Sequence, residues 1–183
     1  IALSYHRDAD RLMCHYCGYR RIAPAKCPRC LSYRMSHYGV GTQAVVERVG
    51  QRFPEATILR MDSDATKGVR AYEDLFARFS SGEAQVLVGT QMVAKGLHFP
   101  SVSLVGVVSA DVGLNIPDYR ANERVFQLLC QVAGRAGRGP TAGEVITQTY
   151  QPYNYAVQAA ASQDYQRFYT EEMAFRSEQA NPP

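Results

Sequence analysis

Neither a G-x-x-x-x-G-K-[ST] stretch nor a D-E-x-H stretch occurs anywhere in these 183 residues. The first would wrap nucleotide phosphates in backbone N–H groups, so the chain has no phosphate loop of that kind. No uncharged apolar run reaches the roughly 20 residues that a membrane-crossing helix needs. No signal-peptide pattern opens the chain, and the expected compartment is the cytoplasm. Internal repeats and low-complexity tracts are also missing. Charge of one sign is not in large excess, since 20 Lys and Arg stand against 17 Asp and Glu. That near-balance hides an asymmetry. Residues 1–38 carry seven basic side chains and two Asp, a net of +5, whereas residues 39–183 carry thirteen against fifteen, a net of −2. A basic appendage on a slightly acidic body fits a contact with nucleic acid.

An apolar fraction of 46% supports a buried core, and the length suits one α/β domain with a small addition. Four of the five cysteines form two C-x-x-C pairs, Cys14/Cys17 and Cys27/Cys30. A C-x-x-C turn aims two thiolates at one point, and two such turns can complete a tetrahedron around zinc. A disulfide framework would use the same count, but nothing else in the chain points to secretion. Around these cysteines Arg7, Arg11, Arg20, Arg21, Lys26, Arg29 and Arg34 alternate with Tyr5, Tyr16, Tyr19, Tyr33 and Tyr38. Arginine neutralises phosphates and tyrosine stacks on unpaired bases, which suits single strands or forks. A solvated basic face over a small tyrosine core would give the same composition. Cys130 lies among Leu128 and Leu129 and reads as a small buried residue.

Beyond this module the apolar pattern predicts strands at 56–61, 84–88, 102–109 and 143–149. Helices are predicted from Thr42 as cap to about Pro54, then over 67–79, 121–132, 153–161 and 164–176. Strands with continuous apolar runs alternating with amphipathic helices imply a parallel sheet covered on both faces. Asp62 and Asp64 read as an Asp-rich strand exit rather than a catalytic carboxylate pair.

Two segments carry chemistry. Gln131-Val132-Ala133-Gly134-Arg135-Ala136-Gly137-Arg138 follows the apolar positions Val125, Leu128, Leu129 and Val132. Two planar guanidinium groups three residues apart, with only small residues between them, suit a polyphosphate. Gly89-Thr90-Gln91 follows a buried strand, at the sheet edge where open α/β folds bind ligands. The Thr90 hydroxyl and neighbouring N–H groups can hold a nucleic-acid phosphate without reading bases. Gly41-Thr42, at a helix start, offers a second such cradle.

The pattern Q-x-x-G-R-x-G-R is similar to the arginine-finger motif of superfamily-two helicases. Val86 to Pro100, Gly39-Val40-Gly41-Thr42-Gln43, Arg60-Met61-Asp62-Ser63-Asp64 and the cysteine pairs resemble segments of one family, the replication-restart helicases of the PriA type. The resemblance covers nearly the whole chain. It implies a RecA-like helicase C-terminal lobe at 37–162, part of a zinc-binding module at 1–36, and a C-terminal helix at 163–183 leading to a further domain. It implies catalytic roles for Arg135 and Arg138, nucleotide contacts at Gly96, His98, Gln131 and Gly134, and DNA contacts at Gly41, Thr42, Gly89, Thr90 and Gln91. Many such motors have Asp where His98 stands. Glu123, Arg124 and Gln127, upstream of Gln131 at helical spacing, are placed to orient the fingers.

Zinc is the implied cofactor, with Cys14, Cys17, Cys27 and Cys30 as ligands. The family carries four cysteine pairs interleaved around two zincs, so the two pairs here either share one ion or belong to different ones. ATP and magnesium would be held mainly by a first lobe that this sequence lacks, and the chain reads as half of a larger motor. The implied partners are DNA forks and single strands, primosome proteins and single-strand-binding proteins. Two other readings stand beside this one. A non-enzymatic zinc-dependent docking module would keep the motor motifs as relics. Branch-migration and transcription-coupled translocases share the motor logic but lack cysteine pairs immediately before the lobe.

Overall fold

In a computed structural model of the chain, the described residues are 3–6, 10–14, 17–33, 41–62, 69–94, 99–137 and 142–182. The N-terminal segment forms a three-stranded antiparallel sheet of β1 (Ser4–His6), β2 (Arg11–Met13) and β3 (Arg20–Ile22), in that spatial order. Its strands are three residues long, too short for a period-2 pattern to stand out, and the sequence did not suggest them.

The body alternates strand and helix. Helix α1 (Thr42–Arg52) precedes β4 (Ile58–Met61), α2 (Val69–Ser80) and β5 (Val86–Gly89). A four-residue helix α3 (Gln91–Ala94), β6 (Leu104–Val107) and a second four-residue helix α4 (Asp111–Leu114) follow. Then come α5 (Ala121–Ala133), β7 (Glu144–Thr147), α6 (Tyr155–Ser162) and α7 (Tyr165–Glu178). Strands β4 and β5 pair in parallel, as do β6 and β7, and helices flank both pairs. This is the expected α/β class. Among the described residues the strands form two two-stranded sheets rather than one, and the β6–β7 pair is less covered than foreseen: Leu104 of β6 and Ile146 of β7 are each more than half exposed. Their strands alternate in burial, in the manner of a sheet with one wet face.

Two apolar clusters hold the body together. In one, Leu59, Met61 and Ala84 meet Phe79 and Phe99, whose rings stand edge to face at 4.8 Å between centroids. Tyr72, Leu75 and Phe76 of α2 pack onto this cluster at the spacing of one helical face. In the other, α5 contributes Val125, Phe126 and Leu129 to a seam with Ala156, Val157, Ala159 and Ala160 of α6. The small alanines let α6 approach closely. Phe168 of α7 closes the seam by stacking on Phe126 at 4.0 Å. Asn154 and Asp164 start the last two helices, each accepting a first-turn backbone N–H at 2.9 Å.

Candidate functional site

The carboxyl edge of β4 and β5 gathers two of the expected phosphate cradles. Met61 and Gly89 are register partners at the ends of these strands, so Asp62 and Thr90 leave the sheet side by side. Gly89 fits there because a Cβ would meet the Met61 carbonyl oxygen at 2.5 Å and drive into Val93. Thr90 and Gln91 are exposed, and Thr90 accepts a backbone bond from Val93 as α3 begins.

Helix α1 is brought to the same edge by a bond absent from the sequence reading. The Thr42 hydroxyl donates to Asp62, which is buried and also pairs with Arg60 at 3.2 Å. Thr42 is therefore the first helical residue, and Gly41, in extended conformation, takes the cap position with no side-chain bond. The Thr42 proton is committed to a carboxylate, which leaves the first-turn N–H groups to face a phosphate. Asp62 serves as a tether. Asp64 lies outside the described residues.

Helix α5 presents the arginine segment. Its buried positions Val125, Phe126, Leu129 and Val132 fix one face in the core and leave Gln131 exposed in the last turn. The helix ends at Ala133. Gly134 caps it through a bond from its N–H to the Cys130 carbonyl at 3.0 Å, and Arg135 N–H reaches Val132 at 2.9 Å. Arg135 is half-buried, in a turn rather than on the helix face. Helix α3 packs against α5, so the segment after Thr90 and the helix carrying Gln131 are neighbours. Gly96, His98 and Arg138 lie outside the described residues.

Among the described residues the side-chain bonds of Glu123, Arg124 and Gln127 run away from Arg135. Arg124 pairs with Asp118 at 2.8 Å. Glu123 accepts from Gln127 at 3.0 Å and from Arg176 of α7 at 2.7 Å. Arg176 also donates to Glu172 at 2.8 Å, and Glu172 accepts from the Tyr155 hydroxyl at 2.6 Å. Burial opposes the Arg176 charge, but its bonds to Glu123 and Glu172 outweigh that and hold its pKa above the ordinary value. The Tyr155 phenol is pushed well up, first by burial and then by the Glu172 carboxylate. This network fixes α7 against α5 and α6. Cys130 is half-buried, and burial raises its thiol, as suits a packing residue.

The two cysteine pairs form matching turns. Cys14 N–H reaches the Tyr19 carbonyl at 2.9 Å while Gly18 N–H reaches Cys14 at 2.9 Å. Cys27 N–H reaches Ser32 at 2.9 Å while Leu31 N–H reaches Cys27 at 2.8 Å. Each turn places a residue with positive φ after its second cysteine, Gly18 at 70° and Leu31 at 56°. The N–H groups of Cys30 and Arg29 lower the Cys27 thiol below its usual range, favouring the thiolate that a metal requires. All five cysteines are thiols rather than disulfides. Among the described residues no three His, Cys, Asp or Glu side chains come together as a metal cage. Each turn is closed by its own backbone bonds, which hold its two cysteines together as a pair.

The alternation of parallel strands and flanking helices is the architecture of a helicase C-terminal domain. The model of the helicase conserved C-terminal domain matches residues 36–140, more than half of the chain, and the chain belongs to that family. The PriA DNA helicase Cys-rich region matches residues 1–21, a span that includes Cys14 and Cys17 but not Cys27 or Cys30. Over its whole length the chain is 50% identical to the replication restart protein PriA of Bacillus subtilis and 45% identical to that of Synechocystis. Over 98% of its length it is 38% identical to PriA of Haemophilus influenzae. The chain spans about a quarter of the length of these curated relatives. Among the described residues no helix is long and apolar enough to cross a membrane.

Proposed function

We propose that the chain is the second motor lobe and part of the zinc module of a cytoplasmic, ATP-dependent 3′-to-5′ DNA helicase that recognises stalled forks and restarts replication through primosome assembly. The observation that carries this reading is the joining of Thr42 and Thr90 at one sheet edge, with α3 packed on the helix that leads into the Arg135 turn. One edge thereby faces both a nucleic-acid backbone and a nucleotide. Gly41, Thr42, Gly89, Thr90 and Gln91 hold the DNA strand by its phosphates. Gln131, Gly134, Arg135 and Arg138 face the nucleotide, with Gly96 and His98 on the same side.

ATP with magnesium, held mainly by the other lobe, supplies the phosphoryl group. Arg135 and Arg138 stabilise charge on that group as it transfers. Relative motion of the lobes then advances the phosphate contacts along the strand. Zinc fits the C-x-x-C turns at Cys14/Cys17 and Cys27/Cys30 and would cross-link them to the remainder of the module. The basic, tyrosine-bearing sheet β1–β3 beside them serves fork DNA or single strands, and primosome and single-strand-binding proteins are its protein partners.

DNA-stimulated ATP turnover by the full-length protein, lost on Arg135→Ala, tests this reading. A full-length protein that binds forks but turns over no ATP would favour a catalytically inactive docking module instead.

A further inference from the structure

Gly137 and Gly143 stand back to back. Gly137 is in the left-handed region, at φ 72°, and its N–H reaches the Val102 carbonyl at 3.2 Å. A Cβ on Gly137 would meet Gly143 N at 2.5 Å and Gly143 Cα at 2.9 Å. A Cβ on Gly143 would fall inside the van der Waals shells of Gly137 N and Ala136, meeting the Ala136 Cβ at 2.6 Å. These contacts are backbone against backbone, where no flexible side-chain end can swing away. Gly143 leads directly into β7, whose first residue donates its N–H to Ser103 at 2.8 Å, so one side of the contact is anchored in the sheet. The other side is the arginine turn itself, between Arg135 and Arg138. A two-residue stretch held from both sides fixes the direction in which the preceding side chain, that of Arg135, leaves the backbone. Beyond the end of α5 the Val102 carbonyl and the Gly143 backbone hold the turn at Gly137.

We propose that Gly143 is a positioning residue for the arginine turn, clasping Gly137 so that Arg135 is held ready before nucleotide closes the site. The inference rests on the motor reading above for its consequence in catalysis, though not for the clasp itself. A positioning defect appears in the transition state and spares ground-state binding.

The test compares full-length wild type with Gly143→Ala, and with Gly106→Ala as control, because a Cβ on Gly106 meets nothing within 4 Å. Three quantities are read: DNA-stimulated kcat and KM for ATP, affinity for a forked DNA, and the rate of limited trypsin cleavage after Arg135. For Gly143→Ala, kcat should fall at least tenfold with KM, DNA affinity and thermal midpoint retained, and cleavage should quicken. Added to Arg135→Ala, Gly143→Ala should lower kcat little further, since it acts through Arg135. Gly106→Ala should match wild type. Unchanged kcat and cleavage in Gly143→Ala would overturn the proposal. So would a parallel loss of kcat, DNA affinity and thermal midpoint, or failure to fold, any of which makes the contact merely structural. A wild type without ATP turnover sinks the motor reading alone, because faster cleavage of Gly143→Ala would still show the clasp.

Discussion

Thr42 and Thr90 carry the same hydroxyl to the same edge, yet their chemistry differs. The Thr42 proton goes to the buried Asp62 carboxylate, whereas Thr90 is exposed. Thr90→Val should therefore weaken DNA binding by about 1 kcal/mol, roughly fivefold, the usual net worth of a hydrogen bond. Thr42→Val should leave DNA affinity nearly intact and lower the stability of the fold instead. Fluorescence anisotropy with fork DNA, beside thermal unfolding, separates the two, and equal losses of affinity would place both hydroxyls on phosphate. Tyr155 gives a pH signature. Its phenol is held above the ordinary value of about 10, so the folded state keeps a proton that the unfolded chain gives up. The stability that results is fully present below about pH 10 and declines as pH rises above it. Urea unfolding between pH 8 and 11 should show this decline in wild type and a shallower one in Tyr155→Phe. Parallel slopes would contradict it.

At the level of elements, the docking of α7 depends on buried charge. Arg176 and Glu172 are almost fully buried, and a buried pair costs desolvation that only complete bonding repays. Arg176→Ala would strand Glu172, and a loss of about 3–5 kcal/mol in urea unfolding is the expected outcome. A change within 1 kcal/mol would show that water reaches Glu172 freely. The elements also mark how far the sequence could be read. Helices α2, α5, α6 and α7 were legible because apolar spacing sustained over two turns or more has one cause, a buried face. Helices α3 and α4, four residues each, leave no such period, and strands β1–β3 are shorter still. Thr42 illustrates a different blind spot. A hydroxyl before an apolar run reads as a cap, but its Asp62 partner is twenty residues away and visible only in three dimensions. The Glu123–Arg176 pair, separated by 53 residues, was hidden in the same way. Gly143 was passed over as a strand start because its constraint is a contact with Gly137, not its own conformation.

For the molecule as a whole, the strand exit at Thr90 and the turn that follows α5 were legible because each is local in sequence. How the two cysteine pairs divide between ions is not local in this way, since ligand geometry depends on where the turns lie in space. If the pairs belong to different ions, Cys14→Ser and Cys27→Ser in the full-length protein should each release zinc, and the double substitution should release more than either. A double variant releasing no more than a single one would return all four cysteines to one ion. With no phosphate loop, the 183-residue chain alone should turn over no ATP even with DNA present, in a coupled assay that registers the full-length protein.

The central claim is that the arginine turn faces nucleotide rather than nucleic acid. Steady-state kinetics of full-length Arg135→Ala, set beside its fork-DNA affinity, tests it most directly. A lost arginine finger should lower kcat on the order of 10³-fold with DNA affinity nearly unchanged. Arg135→Lys should restore little, because a point charge does not reproduce the planar fork. Weakened DNA binding with kcat intact would contradict the claim and place Arg135 on the DNA.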